Sequence, residues 1–245
     1  MEAVNTIIES FQKLKRYCEE EEFKGWDPYD GLNSKVFQSL PGIRSSRWAK
    51  LIWIQTFKRS PINLRKLFFV EKGYNPKGLG LFLHGYCNLY RLDNNEAHLH
   101  KIKELAGLII QLISPGYSGA CWGYNFDWQA RAFYQPKGTP TVVASTFIGY
   151  ALHEAYEILK DEKILEITNS IARFIQLDLN RTYDEHGNFA FSYSPHDRSQ
   201  VFNASLLGSR MLARIYHYTT EQSLLEDARK SVDFCVKHQQ HDGSW

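Results

Sequence analysis

Cysteine is sparse, no sign of charge dominates and no long apolar run occurs. Each lack removes a class of protein. The four cysteines, at 18, 87, 121 and 235, stand far apart, with no C-x-x-C and no Cys/His pair at zinc spacing, so no metal site is expected. Cys87 and Cys235 fall in apolar helical runs and read as small core hydrophobes. The formal net charge is only +2, which gives no electrostatic basis for a nucleic-acid partner. The short basic clusters Arg44, Arg47, Lys50 and Lys58, Arg59, Arg65, Lys66 read as solvated helix faces and loop charges, in preference to a phosphate-binding patch. No stretch approaches the roughly 18 apolar residues that cross a bilayer. The N-terminus, MEAVNTIIESFQKLKRYCEEEEF, reads as a charged amphipathic helix rather than a leader with an apolar centre. No membrane partner and no cofactor are therefore expected, and the cytoplasm is the default location. No Gly/Ser linker divides the 245 residues, so one domain over 1–245 is expected.

What is present is ordinary globular material, 43% hydrophobic and 23% charged, with an unusual 14% of aromatic residues. Many of these fall between the helices. Internal repetition is the strongest signal. The runs 78–92, 142–159 and 202–218 are apolar around nearly their whole circumference and carry small residues. Phe82-Leu83-His84-Gly85-Tyr86 aligns with Thr146-Phe147-Ile148-Gly149-Tyr150 at an offset of 64, and Ala144-Ser145 with Ala204-Ser205 at an offset of 60. Such helices are buried on several sides. Each precedes an amphipathic helix, over 96–113, 162–178 and 221–239, the last with an apolar stripe of Leu225, Ala228, Val232 and Cys235. Short turns with Asp, Asn or Thr caps join the members of each pair. The connections between pairs, 114–139 and 179–198, are much longer, and this alternation places all long loops on one rim. Two further helices are expected at 2–22 and about 46–59. The fold class is all-α, with tandem helical hairpins forming a complete or partial α/α toroid.

The segment Phe234-Cys235-Val236-Lys237-His238-Gln239-Gln240-His241-Asp242-Gly243-Ser244-Trp245 resembles the Gln-Trp repeat of the terpenoid cyclase and protein prenyltransferase group. Gln239, Gly243 and Trp245 match, and Cys235 departs from an aliphatic position. In that repeat Gln caps an outer helix, Trp stacks on it and Gly makes the turn. The Asp-x-Asp-Asp motif of the cyclases is absent, Asp127 being a single acid, and the prenyltransferase zinc set has no counterpart. Through Trp26-Asp27-Pro28-Tyr29-Asp30-Gly31-Leu32 and Asn75-Pro76-Lys77-Gly78, the whole chain is similar to uncharacterised proteins encoded with polysaccharide-synthesis enzymes of bacteria and archaea. The toroid fold is shared by many glycosidases, polysaccharide lyases and sugar epimerases. These resemblances imply a saccharide or other small-molecule ligand.

Three loops carry the candidate chemistry. Asp27 and Asp30, beside Trp26 and Tyr29, have the composition of an acid/base pair for glycoside hydrolysis. They also suit an Asx-turn, which Pro28 and Gly31 favour and which is the preferred reading. The loop Cys121–Arg131 sets Trp122, Tyr124 and Trp128, whose faces stack on sugar rings, among Asp127 and Arg131, which bind hydroxyls or a uronate, with Asp127 also a catalytic candidate. It also suits a plug packed on the barrel end. In the third loop Tyr193 or His196 is a candidate base, Arg198 a cation to steady the resulting charge, and Asp197 an orienting group for His196, with Asn203 on the same rim. A plain surface turn is the alternative. His84 and His153, inside helices, read as core or interface histidines.

These features lead to the expectation of a carbohydrate-active glycosidase, lyase or epimerase with its site at the long-loop rim. A non-catalytic glycan- or protein-binding scaffold is the alternative, and a terpenoid-type cyclase the third. An open end of the repeat after Trp245 is expected to belong to a truncated chain or to be covered in a homo-oligomer.

Overall fold

A computed structural model of the chain describes residues 2–131 and 133–245. They group into two compact units. One comprises residues 1–75 with 125–134, and the other 76–124 with 135–245.

The first unit starts with α1 (Glu2–Glu20), whose Ile7, Phe11, Leu14 and Tyr17 side chains are exposed along one stripe. A 3-10 turn (Asp30–Asn33) leads into α2 (Lys35–Gln38), α3 (Pro41–Ser45) and α4 (Arg47–Arg59). Ser34 and Ser46 start α2 and α4 by accepting from the amides of Phe37 and Ala49, which satisfies donors a helix start leaves open. Leu32, Phe37 and Ile54 form the core here, with Tyr29, Trp53 and Trp128 packed against it. The sequence pattern gives α1 and α4 to within two residues. The short helices α2 and α3 lie below the length at which periodicity is legible.

The second unit holds the repeats. Its hairpins are α5 (Pro76–Asp93) with α6 (Glu96–Gln111), α7 (Val142–Leu159) with α8 (Glu162–Asn169) and α9 (Ile171–Arg173), and α10 (Phe202–Thr219) with α11 (Gln222–Lys237). The inner helices form one layer, α5 along α7 and α7 along α10, each backed by its own outer helix. This is the tandem-hairpin arrangement of an α/α toroid. Gly80 permits the close approach of α5 to α7, since a methyl there would lie 3.2 Å from Ile148 Cα. The three short turns repeat one conformation. Asn94, Lys160 and Thr220 are left-handed, with φ of 50°, 52° and 56°, which closes the preceding helix. Asn95 and Asp161 then cap the next one.

Two departures from the sequence pattern have local causes. The second outer helix breaks at Ser170, whose hydroxyl donates to Ile167 O and accepts from the amide of Ala120. Beyond α9 the chain forms a π turn (Phe174–Asp178), and Asp178 accepts from the Ser118 amide and hydroxyl at 2.8 and 2.9 Å. The apolar period runs on through the break, so the periodicity conceals it. On α11 the buried stripe is Leu224, Ala228, Ser231, Phe234 and Cys235. Val232 is exposed, and with Leu225 it lines a groove of about 290 Å³ shared with Leu206 and Ala213 of α10.

The strands are short. β1 (Trp128–Gln129) and β2 (Tyr134–Gln135) make one two-stranded sheet, β3 (Arg181–Tyr183) and β4 (Phe189–Phe191) another. An Arg181–Asp227 ion pair of 2.7 Å ties β3 to α11. The Trp245 indole donates to Cys235 O at the end of α11, Gln239 latches Gly243 O, and Gly243 turns the chain at φ 84°. None of the described helices is long and apolar enough to cross a membrane.

Candidate functional site

The Trp26–Gly31 loop spends its acids on itself. Asp27 Oδ1 accepts from the Tyr29 amide at 2.9 Å, an Asx-turn, and its Oδ2 accepts from Asn75 Nδ2. Asp30 is buried. It accepts from the Asp27 amide and pairs with Arg65 Nε at 2.8 Å, while the same guanidinium donates to Asp27 O. Burial lifts the Asp30 carboxyl above its ordinary value against the lowering effect of Arg65. Of the two readings of this acid pair, the Asx-turn accounts for these contacts. Trp26 is half-buried, with its indole donating to Val70 O. Tyr29 accepts from Lys58 Nζ, and its ring meets Trp128 edge-on at 6.2 Å.

Asp127 faces a cavity of about 240 Å³ in the same unit, lined by Arg44, Lys50, Gln38 and Tyr134. Burial and the neighbouring Asp127 carboxylate, which also accepts its hydrogen bond, push the Tyr134 phenol up to about 12. Lys50 Nζ lies 3.7 Å from the centre of that ring. Arg131 is exposed, and its carbonyl accepts from Arg47.

In the second unit Trp122 is fully buried. Its indole donates to Ile109 O at 2.8 Å and its amide to Ser145 Oγ. It plugs the core, which corrects its expected role as a sugar-stacking face. Tyr124 and Tyr193 do come together, hydroxyl to hydroxyl at 3.4 Å. Burial, then Tyr124, then Asp197 push the Tyr193 phenol up. Asp197 does not orient His196. Its carboxylate accepts from the amides and hydroxyls of Ser194 and Ser199. His196, Arg198 and Asn203 are exposed, and neither Ser199 nor Asn203 caps α10. Among the described residues no three His, Cys, Asp or Glu side chains cluster as a metal ion would require.

A group the loop reading missed lies on the inner helices. Glu154 of α7 is bridged to Arg91 of α5 and Arg214 of α10, each at 2.5 Å. One turn earlier, Tyr150 has Arg210 at 4.3 Å and Arg214 at 5.5 Å from its ring centre. Phe147, one turn earlier again, has Lys77 Nζ at 4.6 Å. Positions 147, 150 and 154 share one face of a helix, so α7 presents a line of two rings and a carboxylate flanked by cations from both neighbours. Burial acts to raise the Glu154 carboxyl, but bonds from Arg214 and Arg91 outweigh it and hold it below its ordinary value. The sequence signal was there. Arg210 and Arg214 stand four apart in a helix that is otherwise apolar on most sides.

No family model and no curated protein matches the chain. Solved structures do. A sugar epimerase from a ruminal bacterium has 14% identity and TM-score 0.53, matching 85% of this chain and 59% of its own. The Lin0763 protein of Listeria innocua has 13% identity and TM-score 0.50, over 92% and 63%. The cellobiose 2-epimerase of Bacillus thermoamylovorans has 15% identity and TM-score 0.47, over 65% and 43%. The likeness is one of fold, and the chain matches about three fifths or less of the length of these three structures.

Proposed function

We propose that this protein binds a saccharide against the half-buried face of the α5–α7–α10 layer and acts on it as an epimerase or lyase. The observation that carries this reading is the line Phe147, Tyr150, Glu154 with its flanking cations Lys77, Arg91, Arg210 and Arg214. The half-buried Phe147 ring offers a face to the C–H face of a sugar, and guanidinium groups bind hydroxyls and carboxylates. Cations fixed in place also stabilise the negative charge that develops when a proton leaves the carbon beside a carbonyl or carboxylate, with the ionised Glu154 carboxylate as the group on this face to take that proton. Hydrolysis is the weaker reading, because it needs two carboxyls facing each other across the sugar. On this face Glu154 is held charged by two guanidinium groups, and Asp27 and Asp30 are committed to their own loop. The fold likeness to a sugar epimerase agrees with this choice by architecture alone.

The test is proton exchange in heavy water. Aldoses and uronic acids incubated with the protein are followed by proton NMR. The expected outcome is loss of the signal beside the carbonyl or carboxylate of one of them, abolished by Arg214→Gln. Absence of exchange together with absence of calorimetric binding overturns the reading. A non-catalytic glycan holder is the second reading. It is supported by the Asp197 carboxylate, which is saturated by the amides and hydroxyls of Ser194 and Ser199. It predicts binding without exchange.

A further inference from the structure

We infer that the α7–α10 face holds an oxyanion, the carboxylate of a uronic acid or the phosphate of a sugar phosphate, between Tyr150 Oη, Arg214 Nε and the Arg210 guanidinium. The sugar part of that ligand rests on the function proposed above, whereas the anion does not.

Three observations converge. Tyr150 is only 8% exposed, and its hydroxyl is buried with no hydrogen-bond partner among the described residues. Arg214 spends one terminal nitrogen on Glu154, yet its Nε is also buried without a partner. Arg210, on the next turn of α10, has no carboxylate within ion-pair distance among the described residues and rests on the Tyr150 ring at 4.3 Å. All three groups are donors. A guanidinium N–H has no acceptor capacity. The phenol is held neutral, pushed up to about 12 by burial in spite of the two arginines, so its proton is available to give.

Buried polar groups are nearly always hydrogen-bonded, and one left open costs about 1–3 kcal/mol. Two such donors around a single ring, beside an unpaired cation, describe a place that is short of acceptors. Charge points the same way. Arg91 and Arg214 share the single carboxylate of Glu154, Glu157 is taken by Lys160 and Tyr218, and Arg210 lines a groove with Asp233 without forming an ion pair with it. A neutral hydroxyl supplies one acceptor and no charge. A carboxylate or phosphate supplies several acceptors with the matching charge, and such charge-assisted bonds are about twice as strong as neutral ones.

The experiment is calorimetric titration of the full chain with four probes: glucose, glucuronate, glucose 1-phosphate and inorganic phosphate. At least one charged sugar is expected to bind about tenfold or more tighter than glucose, in keeping with charge-assisted bonds. Added sodium chloride should erode that margin. Arg210→Gln and Tyr150→Phe are each expected to lose most of it, read as the ratio of charged-sugar to glucose affinity within each variant. Circular dichroism checks that both variants fold, and the preference of the native chain is read without any variant. Equal affinity for glucose and its charged relatives overturns the anion site and leaves the saccharide reading standing. Phosphate bound with no sugar bound sustains the anion site and overturns the saccharide reading. No binding of any probe overturns both, and a charged-sugar preference untouched by either variant overturns the placement.

Discussion

A histidine sealed inside a helical layer titrates differently from one in water. His153 is fully buried, hydrogen-bonded to Asn169 and stacked on Tyr218 at 4.5 Å. Burial outweighs the Asn169 bond and pushes its pKa down to about 4. Between the unfolded value of about 6.5 and that folded value, the unfolded chain binds a proton that the folded chain refuses. Stability is therefore complete above pH 6.5 and falls as the pH drops through this window, by about 2–3 kcal/mol at pH 4.5. Denaturant midpoints at pH 7 and pH 4.5 should show that loss in the native chain and a smaller one in His153→Gln. Residues of similar sequence appearance part ways here. His84, expected in the core or at an interface, is exposed on α5. Trp122 and Trp128 both sit in one polar, aromatic loop, yet Trp122 is sealed in the core and Trp128 is half-exposed. Sequence gives side-chain type but not which way a loop turns it.

At the scale of elements, the inner helices were legible because three runs repeat with the same small and apolar residues, and the outer ones because one wet face imposes a helical period. The candidate face was not, since its members come from three helices and each taken singly is a charge on a helix. The break at Ser170 was hidden for a related reason, because its cause sits 50 residues away in the loop that touches it. That contact has a measurable edge. A methyl on Gly119 would stand 1.9 Å from the carbonyl oxygen of Ser170, which is backbone and has no room to yield. Gly119→Ala should cost about 3 kcal/mol or more, at the upper end for overpacking. Gly107→Ala, in α6 with open space around it, should instead gain about 0.5–1 kcal/mol by helix propensity. Urea unfolding of the two variants checks both signs.

At the scale of the whole molecule, the chain passes between its two compact units at 75, 124 and 134. The segment 125–134 therefore belongs with residues far from it in sequence. Asn125 O accepts from Asn33, and Trp128 packs on the cluster of Leu32, Phe37 and Ile54. Replacing 125–134 by a Gly/Ser stretch of equal length should strip amide protection from 30–57 while 142–155 keep theirs, as read by hydrogen exchange with mass spectrometry. The groove of Leu206, Ala213, Leu225 and Val232, together with the bare stripe of Ile7, Phe11 and Leu14 on α1, has a practical corollary. Environment-sensitive fluorophores should light up on the native protein before any heating. Melting curves taken with such dyes would start from a high baseline and understate ligand effects, so library screening here belongs to intrinsic tryptophan emission or heat measurement.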